Sequence, residues 1–219
     1  MRIACVSDTH GKLKLSDFTE ADLLIVAGDY CPNFHGVDEA QLQLQWIQER
    51  WLPLLKEAPY THKIVIAGNH DWVHEKLPAF KEYEQSGITY LQDSGVKVDG
   101  LNIYGTPWQP WFYDWAFNFP PDDDGSIAQK VWELIPNDTD ILITHGPPYR
   151  VLDRCADGRL VGCPYLANRV KTIKPKLHVF GHIHESYGSV KIDDTIYVNA
   201  ALCNLAYKPV NKVQIVQVS

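Results

Sequence analysis

The strongest constraint in this chain is that five short apolar runs all end in turns rich in aspartate, asparagine and histidine. Ile3–Ser7 leads into Asp8-Thr9-His10, and Leu23–Ala27 into Gly28-Asp29. Lys63–Ala67 leads into Gly68-Asn69-His70-Asp71, Ile141–Thr144 into His145-Gly146, and Leu177–Phe180 into Gly181-His182-Ile183-His184. Runs of this length bounded by turn formers read as strands buried on both faces. Polar residues just beyond strand C-termini occupy the edge where open α/β sheets bind ligands. Each piece alone is weak, since a D-x-H pair is common and a lone strand-end histidine is more often a satisfied structural residue. All five in this order form a specific constellation.

Further runs extend the pattern. Ile88–Leu91 and Leu101–Tyr104 read as strands, and Gly188–Ile192, Thr195–Asn199 and Val213–Val218 read as a closing meander. Helical spacing appears in Asp38–Lys56, Val73–Gln85, Ile127–Ile135 and Pro164–Ile173, with Ser126 a candidate N-cap. Strands that alternate with helices early and follow one another later predict an α/β fold with mixed sheets covered by helices. No Gly/Ser linker, charge block or repeat divides the sequence, so residues 1–219 are expected to form a single domain.

Hydrophobic residues make up 45% of the chain, enough for a packed core. A net charge of -7 argues against bulk capture of double-stranded nucleic acid or an anionic membrane. No apolar run approaches the ~20 residues needed to span a bilayer, and no secretory signal fits the start of the chain. The five cysteines, Cys5, Cys31, Cys155, Cys163 and Cys203, show no CxxC spacing. Cys155 and Cys163 flank a polar loop, where a bridge competes with two free thiols; a cytoplasmic location favours the thiols. Nine histidines beside many carboxylates is the one unusual entry in the composition.

The strand ends together offer aspartates, an asparagine carbonyl and histidines, with no thiolate among them. Mixed N/O ligands suit two divalent ions, with Mn2+ expected and Fe, Zn, Co or Ni accommodated. The ligands are too many for a single tetrahedral ion, and a carboxylate is the natural bridge in a two-metal clamp for hydrolysis at phosphorus.

The ordered motifs D-x-H, G-D, G-N-H-D, H-G and G-H-x-H resemble the calcineurin-like metallophosphoesterases. Gly105–Phe112, Thr144–Pro148, Val179–Glu185 and Val198–Ala200 resemble the brain-expressed animal metallophosphoesterase-domain group, near the class III cyclic-nucleotide phosphodiesterases. The resemblance covers nearly the whole chain. It implies a four-layer α-β-β-α sandwich of two mixed sheets, and a metal-dependent phosphodiesterase. It also implies that Asp8, His10 and His184 hold one metal, that Asn69, His145 and His182 hold the second, and that Asp29 bridges them. His70 becomes the catalytic histidine beside the scissile phosphate, and Asp71 is expected to orient it. Phosphatases of the superfamily that act on proteins follow G-D with a further acid and a phosphate-binding arginine; here Tyr30-Cys31-Pro32-Asn33 follows instead.

The function this implies is hydrolysis of small phosphodiesters, such as 2′,3′- or 3′,5′-cyclic nucleotides, by a metal-bridging hydroxide. The alternatives are a phosphomonoesterase, a nuclease on single-stranded ends, or a nucleotide-binding scaffold with little turnover. A small-molecule phosphate ester, a nucleotide above all, is the expected partner, and the chain is expected to be a monomer or homodimer. Asn69, His70, Trp72, Trp108 and Trp111 are candidate substrate contacts. The aromatic segment Trp108–Phe117 is either a pocket wall, a loop over the core, or a dimer contact. Asn33 and His35 are weighed as ligand contacts against solvated loop residues. Arg150 and Arg154 are weighed as cationic contacts against ordinary exposed arginines. His62, His74 and His178 carry no assigned role, and His178 reads as structural.

Overall fold

The computed structural model describes residues 1–34, 38–77, 81–121 and 124–218. Its strands are β1 (Arg2–Val6), β2 (Leu23–Ala27), β3 (His62–Ile66), β4 (Thr89–Tyr90), β5 (Ser94–Val98), β6 (Leu101–Thr106), β7 (Gln109–Pro110), β8 (Asn118–Phe119), β9 (Ile141–Thr144), β10 (Leu177–Phe180), β11 (Gly188–Ile192), β12 (Thr195–Asn199) and β13 (Gln214–Gln217). One sheet has the order β13-β1-β2-β3-β4, and the second β11-β12-β10-β9-β6-β5. β1, β2 and β3 are mutually parallel, as are β6, β9, β10 and β12, while β13, β11 and β5 pair antiparallel at the margins. A small pair, β7-β8, stands apart from both.

The apolar runs lack strict alternation because both faces of each sheet are covered. Ile3, Cys5, Leu23, Ile25, Ile64 and Ile66 face Ile103, Ile141, Ile143, Leu177, Val179 and Val198 in the layer between the sheets. The intervening residues Ala4, Val6, Leu24 and Val26 point outward, under Ile47, Trp51 and Leu55. On the far side Leu142, Phe180 and Tyr197 lie beneath Ala128, Trp132, Leu166 and Val170. The result is the four-layer sandwich of two mixed sheets between helices.

Helix α1 (Glu39–Trp46) continues through a π-helical stretch, Ile47–Trp51, into α2 (Leu52–Glu57). The Val73–Gln85 helix is divided. α3 (Trp72–Lys76) ends at Leu77, which adopts an extended backbone at φ -120°, ψ 111°, and α4 (Lys81–Gln85) follows residues outside those described. Pro78 in the sequence accounts for the break, because proline disfavours helical geometry in the residue before it. α5 (Ser126–Glu133) begins after Gly125, so Ser126 is the first helical residue and not the cap. α6 (Pro164–Ile173) has proline in its first turn, where a missing N–H costs nothing.

The closing meander divides too. β11 and β12 form a hairpin, but β13 crosses to the other sheet and pairs with β1. The sheets are joined at one edge, where the Ser7 amide donates to Ala200 O at 2.9 Å and the Leu202 amide to Ser7 O at 2.8 Å. That edge carries the C-terminal ends of β1, β2, β3, β9 and β10, and hence all five motifs. The five cysteines are free. No helix among the described residues is long and apolar enough to cross a membrane.

Candidate metal centre

The loops at this edge are held in unusual backbone conformations. Asp8, His10, Asp29 and His182 all have positive φ, between 43° and 66°. Left-handed geometry at a non-glycine residue costs on the order of 1–2 kcal/mol, and such strain collects at functional sites. The glycines allow the loops to approach each other. A Cβ at Gly68 would collide with the Asp29 carboxylate and stand 2.7 Å from His145 Cε1, and one at Gly181 would strike Asp8.

The structure brings Asp8, His10, Asp29, Asn69, His145, His182 and His184 together. Ligand atoms of Asp8, His10 and His184 lie within 4.8 Å of one another, as do those of Asp8, Asp29 and His145, so Asp8 is common to both groups. His184 Nε2 is 3.1 Å from Asp8 Oδ1, and the His10 and His184 rings are 5.5 Å apart. His182 instead approaches His145, with ring centroids 5.1 Å apart, and its amide donates to Asp8 Oδ2 at 2.9 Å.

The donor set fits cations. His145 Nδ1–H donates to Ala27 O at 2.9 Å, which leaves Nε2 with a lone pair. That lone pair faces Asn69 Oδ1 at 2.9 Å and Asp29 Oδ2 at 3.3 Å. A positive charge among these three atoms, a proton or a metal, would satisfy them together. Both His10 ring nitrogens are buried without a hydrogen-bond partner, which is costly unless they have a ligand.

Electrostatics agree. Burial raises the pKa of Asp8, but neighbouring His184 and His145 outweigh it and hold Asp8 at about 2. Burial likewise opposes ionisation of Asp29, yet His145 and His70 keep it well below the usual carboxylate range. Desolvation lowers His10 to about 4 and His182 to about 3, which leaves both neutral at pH 7. Burial disfavours the charged forms of His145 and His184 as well, but Asp29 and Asp8 respectively lift them to about 9. Two cations would take the place of those protons.

His70 stands at the rim. Its Nδ1 is 2.6 Å from Asn33 Oδ1, its Nε2 is 3.8 Å from Asp29 Oδ2, and its amide donates to Asp29 Oδ1 at 2.8 Å. Burial lowers its pKa. The residue that orients the ring is therefore Asn33, and the expectation for Asp71 is corrected. Asp71 accepts backbone N–H bonds from Gly68 at 2.7 Å, Asp29 at 2.8 Å and Cys31 at 2.9 Å, tying the G-N-H-D loop to the G-D loop. Burial beside Asp29 raises its pKa to about 7. Gln43 on α1 adds a second tie, donating to His70 O at 2.7 Å and accepting from the Val73 amide at 3.0 Å. Asn199 performs the same task for the last motif, donating to Ile183 O at 2.9 Å.

The aromatic candidates separate. Trp108 is a packing residue: its Nε1–H donates to Asp93 Oδ2 at 2.8 Å and its ring meets Phe117 edge-on. Trp111 is 57% exposed and is not among the residues lining the adjacent cleft. Trp72 does line that cleft, with Lys76 Nζ 4.0 Å above its ring. Trp115, Phe112 and Tyr207 emerge as neighbours of the centre that the motifs do not single out. Trp115 lies 4.1 Å from the His70 ring, Phe112 meets His182 edge-on at 6.0 Å, and Tyr207 meets His10 edge-on at 4.7 Å. The density of aromatics in Trp108–Phe117 is a signal for the first two. Tyr207, on the chain between β12 and β13, has none.

The remaining candidates lie elsewhere. Arg150 and Arg154 line a separate cleft with Leu152, Asp153, Leu160 and Ser186. His62 pairs with Asp99 at 3.9 Å on the surface, and His74 is buried against the Tyr30 hydroxyl. His178 sits 2.9 Å from Thr144 Oγ1 inside the second sheet. His35 lies outside the described residues.

A double sandwich with a cluster of carboxylate, amide and imidazole ligands at the joined sheet edge defines a metal-dependent phosphoester hydrolase. The calcineurin-like phosphoesterase family model matches residues 1–186, and the chain belongs to that family. Among particular relatives, it is 41% identical over 235 residues to human metallophosphoesterase domain-containing protein 1, covering 96% of this chain and 68% of that one. A UPF0046 protein of Caenorhabditis elegans is 34% identical over 218 residues, covering 93% of this chain and 70% of its own. The crystal structure of phosphopantetheinyl hydrolase from Mycobacterium tuberculosis superposes with a TM-score of 0.55 at 15% identity, covering 94% of this chain and 90% of that one, a likeness of fold.

Proposed function

We propose that this chain is a two-metal phosphodiesterase for small phosphodiesters, cyclic nucleotides among them. The observation that carries the reading is the convergence of seven candidate ligands, Asp8, His10, Asp29, Asn69, His145, His182 and His184, beside a histidine that is itself oriented. Following the resemblance, Asp8, His10 and His184 would hold one cation, Asn69, His145 and His182 the other, and Asp29 would lie between them, beside Asp8, which both clusters share. Such a pair supplies Lewis acidity, lowering the pKa of water and neutralising charge on phosphoryl oxygens.

The chain's own residues supply the rest. The Ala27 carbonyl fixes the tautomer of His145, so Nε2 is the ligating atom. Asn33 Oδ1 accepts Nδ1–H of His70, which aims Nε2 at the centre. An approaching phosphate anion favours the imidazolium that burial disfavours. As the ester P–O bond breaks, Nε2 passes its proton to the departing alkoxide. Tyr207, Trp115 and Phe112 stand at the rim beside His10, His70 and His182.

A diester is favoured over a monoester dianion by the G-D loop. Tyr30 and Cys31 are fully buried and Asn33 is engaged with His70, so the position of the phosphate-binding arginine found in superfamily members that act on proteins goes to other tasks. Free thiols suit a reducing compartment, and the cytoplasm is the location we favour. The test compares bis-p-nitrophenyl phosphate with p-nitrophenyl phosphate on Mn2+-loaded protein. We expect kcat/KM to favour the diester by about tenfold or more, a difference of ~1.4 kcal/mol in transition-state binding. Preference for the monoester would overturn the diesterase reading, and no turnover with metal bound would favour a binding scaffold.

A further inference from the structure

Beside His70 the surface opens into a cleft of about 590 Å³ lined by Glu39, Trp72, Lys76, Tyr113, Asp114 and Trp115. Resting on the diesterase reading above, we propose that this cleft binds the nucleobase of the substrate and selects bases that carry an exocyclic amino group.

Position is the first argument. Trp115 belongs both to the cleft and to the surroundings of His70, whose ring is 4.1 Å away. A substituent on the phosphoester beside His70 therefore has the cleft as its neighbour. The same loop reaches the far side of the centre through Phe112, against His182.

Surface chemistry is the second. Trp72, Tyr113 and Trp115 offer three aromatic rings in one concavity, and Tyr113 is 65% exposed. One exposed ring and two half-buried ones grouped around a concavity offer a surface on which a flat heterocycle can stack. Lys76 Nζ lies 4.0 Å over the Trp72 ring, so that face fronts the cleft both residues line, and a base would stack there by displacing the ammonium.

Charge is the third argument and sets the specificity. Two carboxylates, Glu39 and Asp114, share the cleft with one ammonium, Lys76. The carboxylates repel a phosphate and accept hydrogen bonds from amino groups. A nucleotide would thus enter with its phosphate toward the centre and its base toward the acids. Adenine, cytosine and guanine carry an amino donor, and uracil does not.

The test measures kcat/KM of the Mn2+-loaded protein for adenosine 2′,3′-cyclic phosphate, uridine 2′,3′-cyclic phosphate and glycerol 1,2-cyclic phosphate, which share a five-membered cyclic diester. Wild type should prefer the adenosine ester over both others by about tenfold or more, the scale of one stacked or hydrogen-bonded group. Trp72→Ala and Tyr113→Ala should each shrink the adenosine-to-glycerol ratio, and Asp114→Asn the adenosine-to-uridine ratio. In parallel, AMP should quench tryptophan fluorescence, with weaker binding in Trp72→Ala. Ratios equal in wild type and variants would overturn the base subsite while leaving the diesterase reading intact. If wild type hydrolyses none of the three, the diesterase reading fails for cyclic substrates and the subsite is judged by AMP alone. No quenching at millimolar AMP then overturns it.

Discussion

Sequence neighbours at this site have different tasks in space. His70 and Asp71 are adjacent, yet His70 faces the centre while Asp71 holds three backbone amides beneath it. Replacing His70 with alanine should lower kcat by ~10²–10⁴-fold, as expected for loss of a general acid, with bound metal unchanged. Turnover within a factor of a few of wild type would remove that role. Asn33→Ala should lower kcat by about tenfold and leave KM nearly constant, because it frees the His70 ring without removing it. Asp71→Ala leaves three buried N–H groups unpaired, at ~1–3 kcal/mol each, and should cost about 3 kcal/mol or more in urea unfolding. A variant of unchanged stability with impaired turnover would return Asp71 to the orienting role.

Elements explain which parts of the site were legible in sequence. Each ligand-bearing turn directly follows a buried strand, so an apolar run locates the ligand to within a residue or two. The runs showed an α/β fold of mixed sheets covered by helices, because strands buried on both faces need helices against them; the division into two sheets came from the resemblance of the motifs. Sheet membership was less accessible. Val213–Val218 satisfies the strand pattern equally well in either sheet, and only pairing with β1 decides it. The break in Val73–Gln85 was visible as Pro78, but the hydrophobic spacing on either side masked it.

Strand β10 also carries a testable burden. His178 is fully buried in it, and desolvation holds its pKa at about 3, against an ordinary value near 6.5. The folded protein therefore keeps it neutral, while the unfolded chain takes up a proton below pH 6.5. Its share of stability is intact above pH 6.5 and falls by ~1.4 kcal/mol per pH unit as the pH drops toward 3. His178→Gln should flatten the dependence of urea stability on pH between 6.5 and 4.5 by about one proton's worth. Equal slopes for variant and wild type would show that His178 does not contribute.

For the molecule as a whole, the two sheets matter because their joining edge gathers residues from 8 to 207 into one centre. The motifs marked the candidate ligands, but the walls come from loops whose paths depend on packing. Trp115, Phe112 and Tyr207 reach the centre, and Trp108 turns away toward Asp93. No local pattern distinguishes these outcomes. The net charge of -7 is also a poor guide to the centre itself, where Asp8 and Asp29 would face two divalent cations.

The central claim is that this edge holds two cations with Asp29 between them. Metal bound per chain at Mn2+ saturation, counted by mass spectrometry in wild type and in Asp29→Asn, tests it most directly. Wild type should bind two ions and the variant at most one. A single ion in wild type, or two retained in Asp29→Asn, would contradict it.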